Sequence, residues 1–157
     1  MLLIVWHSRT GASQAMADAA KAAAGELARI IPAAAAGPDD LRAAGGYLFV
    51  CPENLGSMSG AMKELFDRCY YPLLGQIEGR PYASIIAAGS DGHGAQAQLD
   101  QIVTGWRLRR VAEPLIANIH AQSPEEIMAN KSVPPAILAH ASELGAAMAN
   151  GLKLGIF

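Results

Sequence analysis

Aromatic residues are scarce in this chain: phenylalanine, tryptophan and tyrosine make up 6% of it, against 52% hydrophobic residues of all kinds. A core made mainly of alanine and small aliphatics favours close helix-on-sheet packing over an aromatic-rich β-sandwich. Cysteine is nearly absent. Cys51 and Cys69 form no CxxC pair and belong to no metal-like cluster, so a disulfide framework is not expected and a reduced, cytoplasmic setting is the simplest fit. Neither has an arginine at C-x5-R spacing, because Ser57 and Gly75 stand there, so a cysteine phosphatase loop is excluded. An excess of one charge is also missing. The net charge of -2 creates no strong field for nucleic acid or an acidic membrane surface, so neither is expected as a partner. The basic cluster Arg107, Arg109 and Arg110 reads as a solvated helix-to-strand corner.

Long apolar runs are lacking too. None approaches the roughly 20 residues that span a membrane. The opening "MLLIVW" is too short for a signal-peptide core and has no basic leader, so a soluble intracellular protein is expected. There is no GxxxxGK[ST] pattern, which argues against a nucleoside triphosphate. His7, His93, His120 and His140 show no metal-ligand spacing, and no metal is expected.

What is present is a regular alternation. The 157 residues suit one domain, 1–157, with a full hydrophobic core. "LLIVW" reads as a strand buried on both faces, "GGYLFV" as another buried strand, and "RPYASIIAA" as a strand. "IIPAAAA" at 30–36 is ambiguous, and Pro32 restricts it to an edge. "VAEPLIANI" reads as a fifth strand broken at Pro114. Between them lie an alanine-rich helix from Gln14 to Ile30, a helix with Met62, Leu65, Phe66 and Cys69 on its inner face, and a helix after Gly94. Ser123 to Glu126 form a capping box, and a last helix is expected to end at Gly151. Five strands alternating with helices predict an α/β fold with an open parallel sheet covered on both faces.

Ligands bind such sheets outside the carboxyl ends of the strands, where strand order reverses. Three loops therefore matter. In the first, Ser8, Arg9, Thr10, Gly11, Ala12 and Ser13 place three hydroxyls and a glycine before a helix, which suits a phosphate; capping by Ser8 or Thr10 is the other reading. The second holds Pro52, Glu53, Asn54, Leu55, Gly56, Ser57 and Met58, a flexible stretch able to hold a flat polar group through backbone amides or simply to start a helix. In the third, Gly89, Ser90, Asp91, Gly92, His93 and Gly94 run into a G-x-G-x-x-A pattern. That dinucleotide fingerprint follows the fourth strand rather than the first, and no acidic residue ends the next strand. The loop reads better as a third ligand-facing rim, with Asp91 as a helix cap or ligand contact.

"HSRTGAS" followed by a helix resembles the phosphate loop of flavodoxins, and "PENLGSMSGAMKELFDR" is similar to the second flavin loop of the NAD(P)H-dependent FMN reductase and quinone reductase branch. The resemblance implies a flavodoxin-like three-layer sandwich with strand order 2-1-3-4-5. It further implies FMN bound by residues 8–13, 52–58 and 89–94, with NADH or NADPH as co-substrate. A hydride would pass through flavin N5 to a quinone-like or other small aromatic acceptor, with no catalytic side chain needed. The ring-flanking loops carry no Trp, Tyr or Phe and the surface is not strongly acidic, which favours a reductase over a flavodoxin-type electron carrier. A flavodoxin-like domain without flavin is an open alternative, the apolar tail "GLKLGIF" suits docking on another subunit or on the chain's own core, and the family resemblance implies a possible homo-oligomer.

Overall fold

The computed structural model describes residues 1–157. Its strands are β1 (Leu2–Trp6), β2 (Ala28–Pro32), β3 (Gly46–Asn54), β4 (Ser57–Met58), β5 (Pro81–Ala88), β6 (Arg109–Arg110) and β7 (Leu115–Asn118). Its helices are α1 (Ala12–Ala24), α2 (Pro38–Ala43), α3 (Gly60–Leu73), α4 (His93–Gly105), α5 (Pro124–Met128) and α6 (Pro135–Leu154). β1 pairs in parallel with β2 and β3, and β3 with β5. β6 and β7 both pair in parallel with β5 and act as one interrupted edge strand. Counting them as the fifth strand, the order is the expected 2-1-3-4-5, and the break falls at Pro114, which has no amide to give the ladder.

The three central strands form where the sequence is apolar without alternation. Every residue of β5 is buried, because helices cover both faces. On one side α2, α3 and α4 enclose Phe49, Met62, Leu65, Phe66, Leu99 and Trp106. On the other, α1 and α6 pack on Leu2, Ile4, Leu48, Val50 and Ile85. The abundance of alanine has its use here: α1 and α6 approach so closely that a Cβ on Gly145 would lie 2.4 Å from the carbonyl oxygen of Ala20.

Three boundaries differ from expectation. The first helix stops at Ala24 rather than running to Ile30, because Gly25 turns the chain with φ 57°. β2 consequently occupies 28–32 instead of 30–36, with Pro32 closing an edge strand. α6 passes through Gly151 and ends at Gly155, whose φ of 65° supplies the left-handed stop. Gly151 serves packing instead: the Phe157 ring lies against it, 2.2 Å from where a Cβ would be. The tail thus folds onto the chain's own core, leaving Leu154 and Ile156 exposed. The Ser123–Glu126 capping box is present, with the Glu126 amide donating to Ser123 Oγ and the Ser123 amide to Glu126. No helix is long and apolar enough to cross a membrane.

Candidate functional site

The carboxyl ends of β1, β3 and β5 open into a cleft of about 340 Å³, within the range of ~300–1,000 Å³ usual for cofactor sites. Its floor is small, formed by Ala87, Ala88 and Gly89. A Cβ on Gly89 would stand 2.6 Å from the carbonyl oxygen of Ala121, so only glycine lets these two backbones meet.

The loop after β1 forms one end. Gly11, with φ 99°, is the N-cap of α1, and no side chain caps that helix. Ser8 Oγ accepts the Gly11 amide at 3.0 Å, which shapes the loop but leaves the first-turn amides of α1 without acceptors. Ser13 lies in that turn, 1% exposed, and its hydroxyl has no hydrogen-bond partner. A buried, unsatisfied hydroxyl beside free helix amides on a cleft wall is a donor set suited to an anion. The residues therefore fit a phosphate.

The second stretch is more rigid than its composition suggests. β3 continues to Asn54, turns at Leu55 and Gly56, and returns as β4, with Glu53 opposite Met58 and Asn54 opposite Ser57. Both turn residues have positive φ, 52° and 72°, as a two-residue type I′ hairpin requires. Met58 is buried in the core, so it fills space beneath the hairpin rather than facing the cleft. Side-chain bonds brace this hairpin in two directions. His7 Nδ1 and Ser59 Oγ share a hydrogen bond of 2.8 Å, linking it to the first loop. Burial lowers the His7 pKa and keeps the ring neutral at pH 7. Glu53 reaches the other way, accepting the amides of Gly92 at 2.9 Å and Ala95 at 3.0 Å.

Glu53 thereby takes the capping role considered for Asp91. The Asp91 carboxylate instead pairs with His93 Nδ1 at 2.6 Å on the exposed rim. Gly94 packs directly under the hairpin, where a Cβ would meet the Gly56 carbonyl oxygen at 2.2 Å. Of the residues expected in the three loops, Ser8, Arg9, Thr10, Ala12 and Ser13, then 52–56, then Gly89 and Ser90 line the cleft. Gly11, Ser57, Met58 and 91–94 do not line it.

A fourth wall was not anticipated. Ile119, Ala121, Ile127 and Lys131 line the cleft from the segment between β7 and α6. The Lys131 amide donates to the Thr10 carbonyl at 2.8 Å, and its ammonium donates to the carbonyls of Glu126 and Ile127 at 2.6 and 2.9 Å. This ties α5 to the phosphate-type loop. The capping box marked α5 in the sequence, but nothing local placed it beside residues 8–13. The two cysteines play no part: both are buried, and burial pushes the Cys51 thiol up to about 12. The arginines at 107, 109 and 110 lie by the amino end of β5, opposite the cleft.

A three-layer sandwich in this strand order, with a hydroxyl-lined cleft at the carboxyl ends of its strands, is a flavodoxin-like architecture. The chain belongs to the NADPH-dependent FMN reductase family, whose model matches residues 9–121. It is accordingly an oxidoreductase that uses FMN, with NAD(P)H as co-substrate. Among solved structures it is similar to a WrbA-like flavodoxin from Agrobacterium tumefaciens (TM-score 0.78, 19% identity, 98% of this chain and 97% of that one). It is also similar to a flavodoxin from the domain Archaea (0.76, 15%, 97% and 98%) and to two-electron reduced Megasphaera elsdenii flavodoxin (0.71, 17%, 96% and 99%). These likenesses establish the fold. No curated protein matches the chain by sequence.

Proposed function

We propose that the chain acts as one cytoplasmic FMN-binding domain that oxidises NAD(P)H and reduces a quinone-like or other small aromatic acceptor. Ser8, Thr10, Ser13 and the first-turn amides of α1 hold the FMN phosphate. Residues 52–56 and 89–90 flank the ring. FMN, when bound, supplies hydride uptake from the nicotinamide and hydride delivery to the acceptor. For a quinone the balance is one hydride from NAD(P)H plus one proton from water, giving a hydroquinone and NAD(P)+. The chain's own residues bind, orient and leave room.

One observation carries the choice of a reductase over a carrier: no aromatic side chain lines the cleft. The site thus leaves a flat cofactor open to a second flat molecule. The test is NADH and NADPH oxidation by the FMN-loaded protein with 1,4-naphthoquinone. Catalytic turnover is expected. Retention of FMN without nicotinamide oxidation would contradict the reductase reading and point to a carrier.

A further inference from the structure

Leu55 is placed against two preferences at once. Its φ of 52° is left-handed, which favours asparagine or glycine in the first position of a type I′ turn. Its side chain is also fully exposed, at 105% of the reference area. The residue that best suits this turn before Gly56 is asparagine, so leucine is not there for the hairpin. A strained, exposed apolar side chain on a cleft rim is the kind of outlier from which a functional hypothesis follows.

A counterpart exists. Ile127, 45% exposed, also lines the cleft. Leu55 lines the cleft from the hairpin that leads into α3 on one face of the sheet, and Ile127 from α5, which leads into α6 on the other. Two charged groups of the cleft wall are already satisfied. Backbone amides hold the Glu53 carboxylate, and backbone carbonyls hold the Lys131 ammonium. Arg9 belongs to the phosphate-type loop, where a bound phosphate would face it. Leu55 and Ile127 thus offer apolar contact from two separate elements of the cleft wall.

The geometry points to Leu55 and Ile127 as a pair of apolar jaws that select the electron acceptor, favouring an uncharged flat aromatic over a charged, hydrophilic one. This rests on reading the cleft as a reductase site. Leu55 is then a specificity residue, retained at the expense of an ideal turn.

The test uses FMN-loaded protein, with Leu55→Asn and Ile127→Thr as variants. Leu55→Asn suits the turn better than the native residue, so its thermal midpoint is expected to equal or exceed that of the parent. Calorimetric titration with 1,4-naphthoquinone reads binding without turnover. Each variant is expected to bind it about tenfold more weakly, the scale of losing one side chain's apolar contact. The ratio of kcat/KM for naphthoquinone to that for ferricyanide should fall by a similar factor. Unchanged naphthoquinone affinity in both variants overturns the proposal. So does a parent protein that does not bind naphthoquinone, or a Leu55→Asn protein that loses FMN rather than naphthoquinone. If the parent binds naphthoquinone and the variants do not, yet NAD(P)H is not oxidised, the jaws stand and the reductase reading falls.

Discussion

Glu53 at the end of β3 and Gly92 at the start of α4 are joined by a 2.9 Å hydrogen bond from the Gly92 amide to the Glu53 carboxylate, and the Ala95 amide completes the pair at 3.0 Å. One side chain thus fixes the distance between the two loops that flank the proposed ring position. A charge at a helix N-terminus gains from the helix dipole as well as from the bonds.

Glu53→Ala removes both bonds and is expected to cost about 1–3 kcal/mol, read by urea unfolding. FMN affinity should fall with it, because the loops are no longer held in register. Glu53→Gln keeps one acceptor oxygen and should lie between parent and alanine variant. A Glu53→Ala protein of unchanged stability would contradict the bracing role.

Gly94 sets the same spacing by contact. Its Cβ would press on the Gly56 carbonyl oxygen at 2.2 Å, and that neighbour is backbone. Gly94→Ala should therefore push the hairpin off α4, destabilising by about 1–3 kcal/mol as overpacking does. Calorimetric unfolding checks this, and an unchanged midpoint would show that the hairpin moves freely.

The pH dependence of stability has a defined sign at His7. Burial lowers its pKa below the ordinary value of 6.5, so the unfolded chain takes up the proton first as pH falls. Stability is full above 6.5 and declines as pH drops from there through the lower folded value. Asp40, held down chiefly by its bond from Arg29, acts in the same direction but only near and below 3.8. Urea unfolding at pH 7 and pH 5 should show the loss, and His7→Asn should show a smaller one. An equal slope in the variant would assign the effect to other groups.

Much of this architecture is written in runs of a few residues. β1, β3 and β5 are uniformly apolar, because they are covered on both faces, and that pattern is local. Pro32 and Pro114 mark edge positions for the same local reason, a missing amide. The helix boundary at Gly25 is less legible, since the alanine and isoleucine that follow suit helix and strand alike. The hairpin escaped notice because its turn begins with Leu55 in place of the Asn-Gly signature. What the sequence hides altogether is long-range pairing. Glu53 caps a helix 39 positions away, and Lys131 joins α5 to Thr10. Such contacts depend on the assembled sheet and leave no periodic trace.

The central claim is that residues 8–13 bind the FMN phosphate, and Ser13 tests it with two opposed readouts. Its buried hydroxyl lacks a partner in the protein alone. Ser13→Ala should therefore leave the FMN-free protein as stable as the parent or more so, by up to about 1–3 kcal/mol. The same change should weaken FMN binding about tenfold, the loss of one charge-assisted bond. The measurement is a fluorescence titration of FMN with parent and variant, alongside their unfolding midpoints. Weaker FMN binding in a protein of equal or greater stability is the predicted result; equal affinity, or no saturable binding by the parent, would contradict the account.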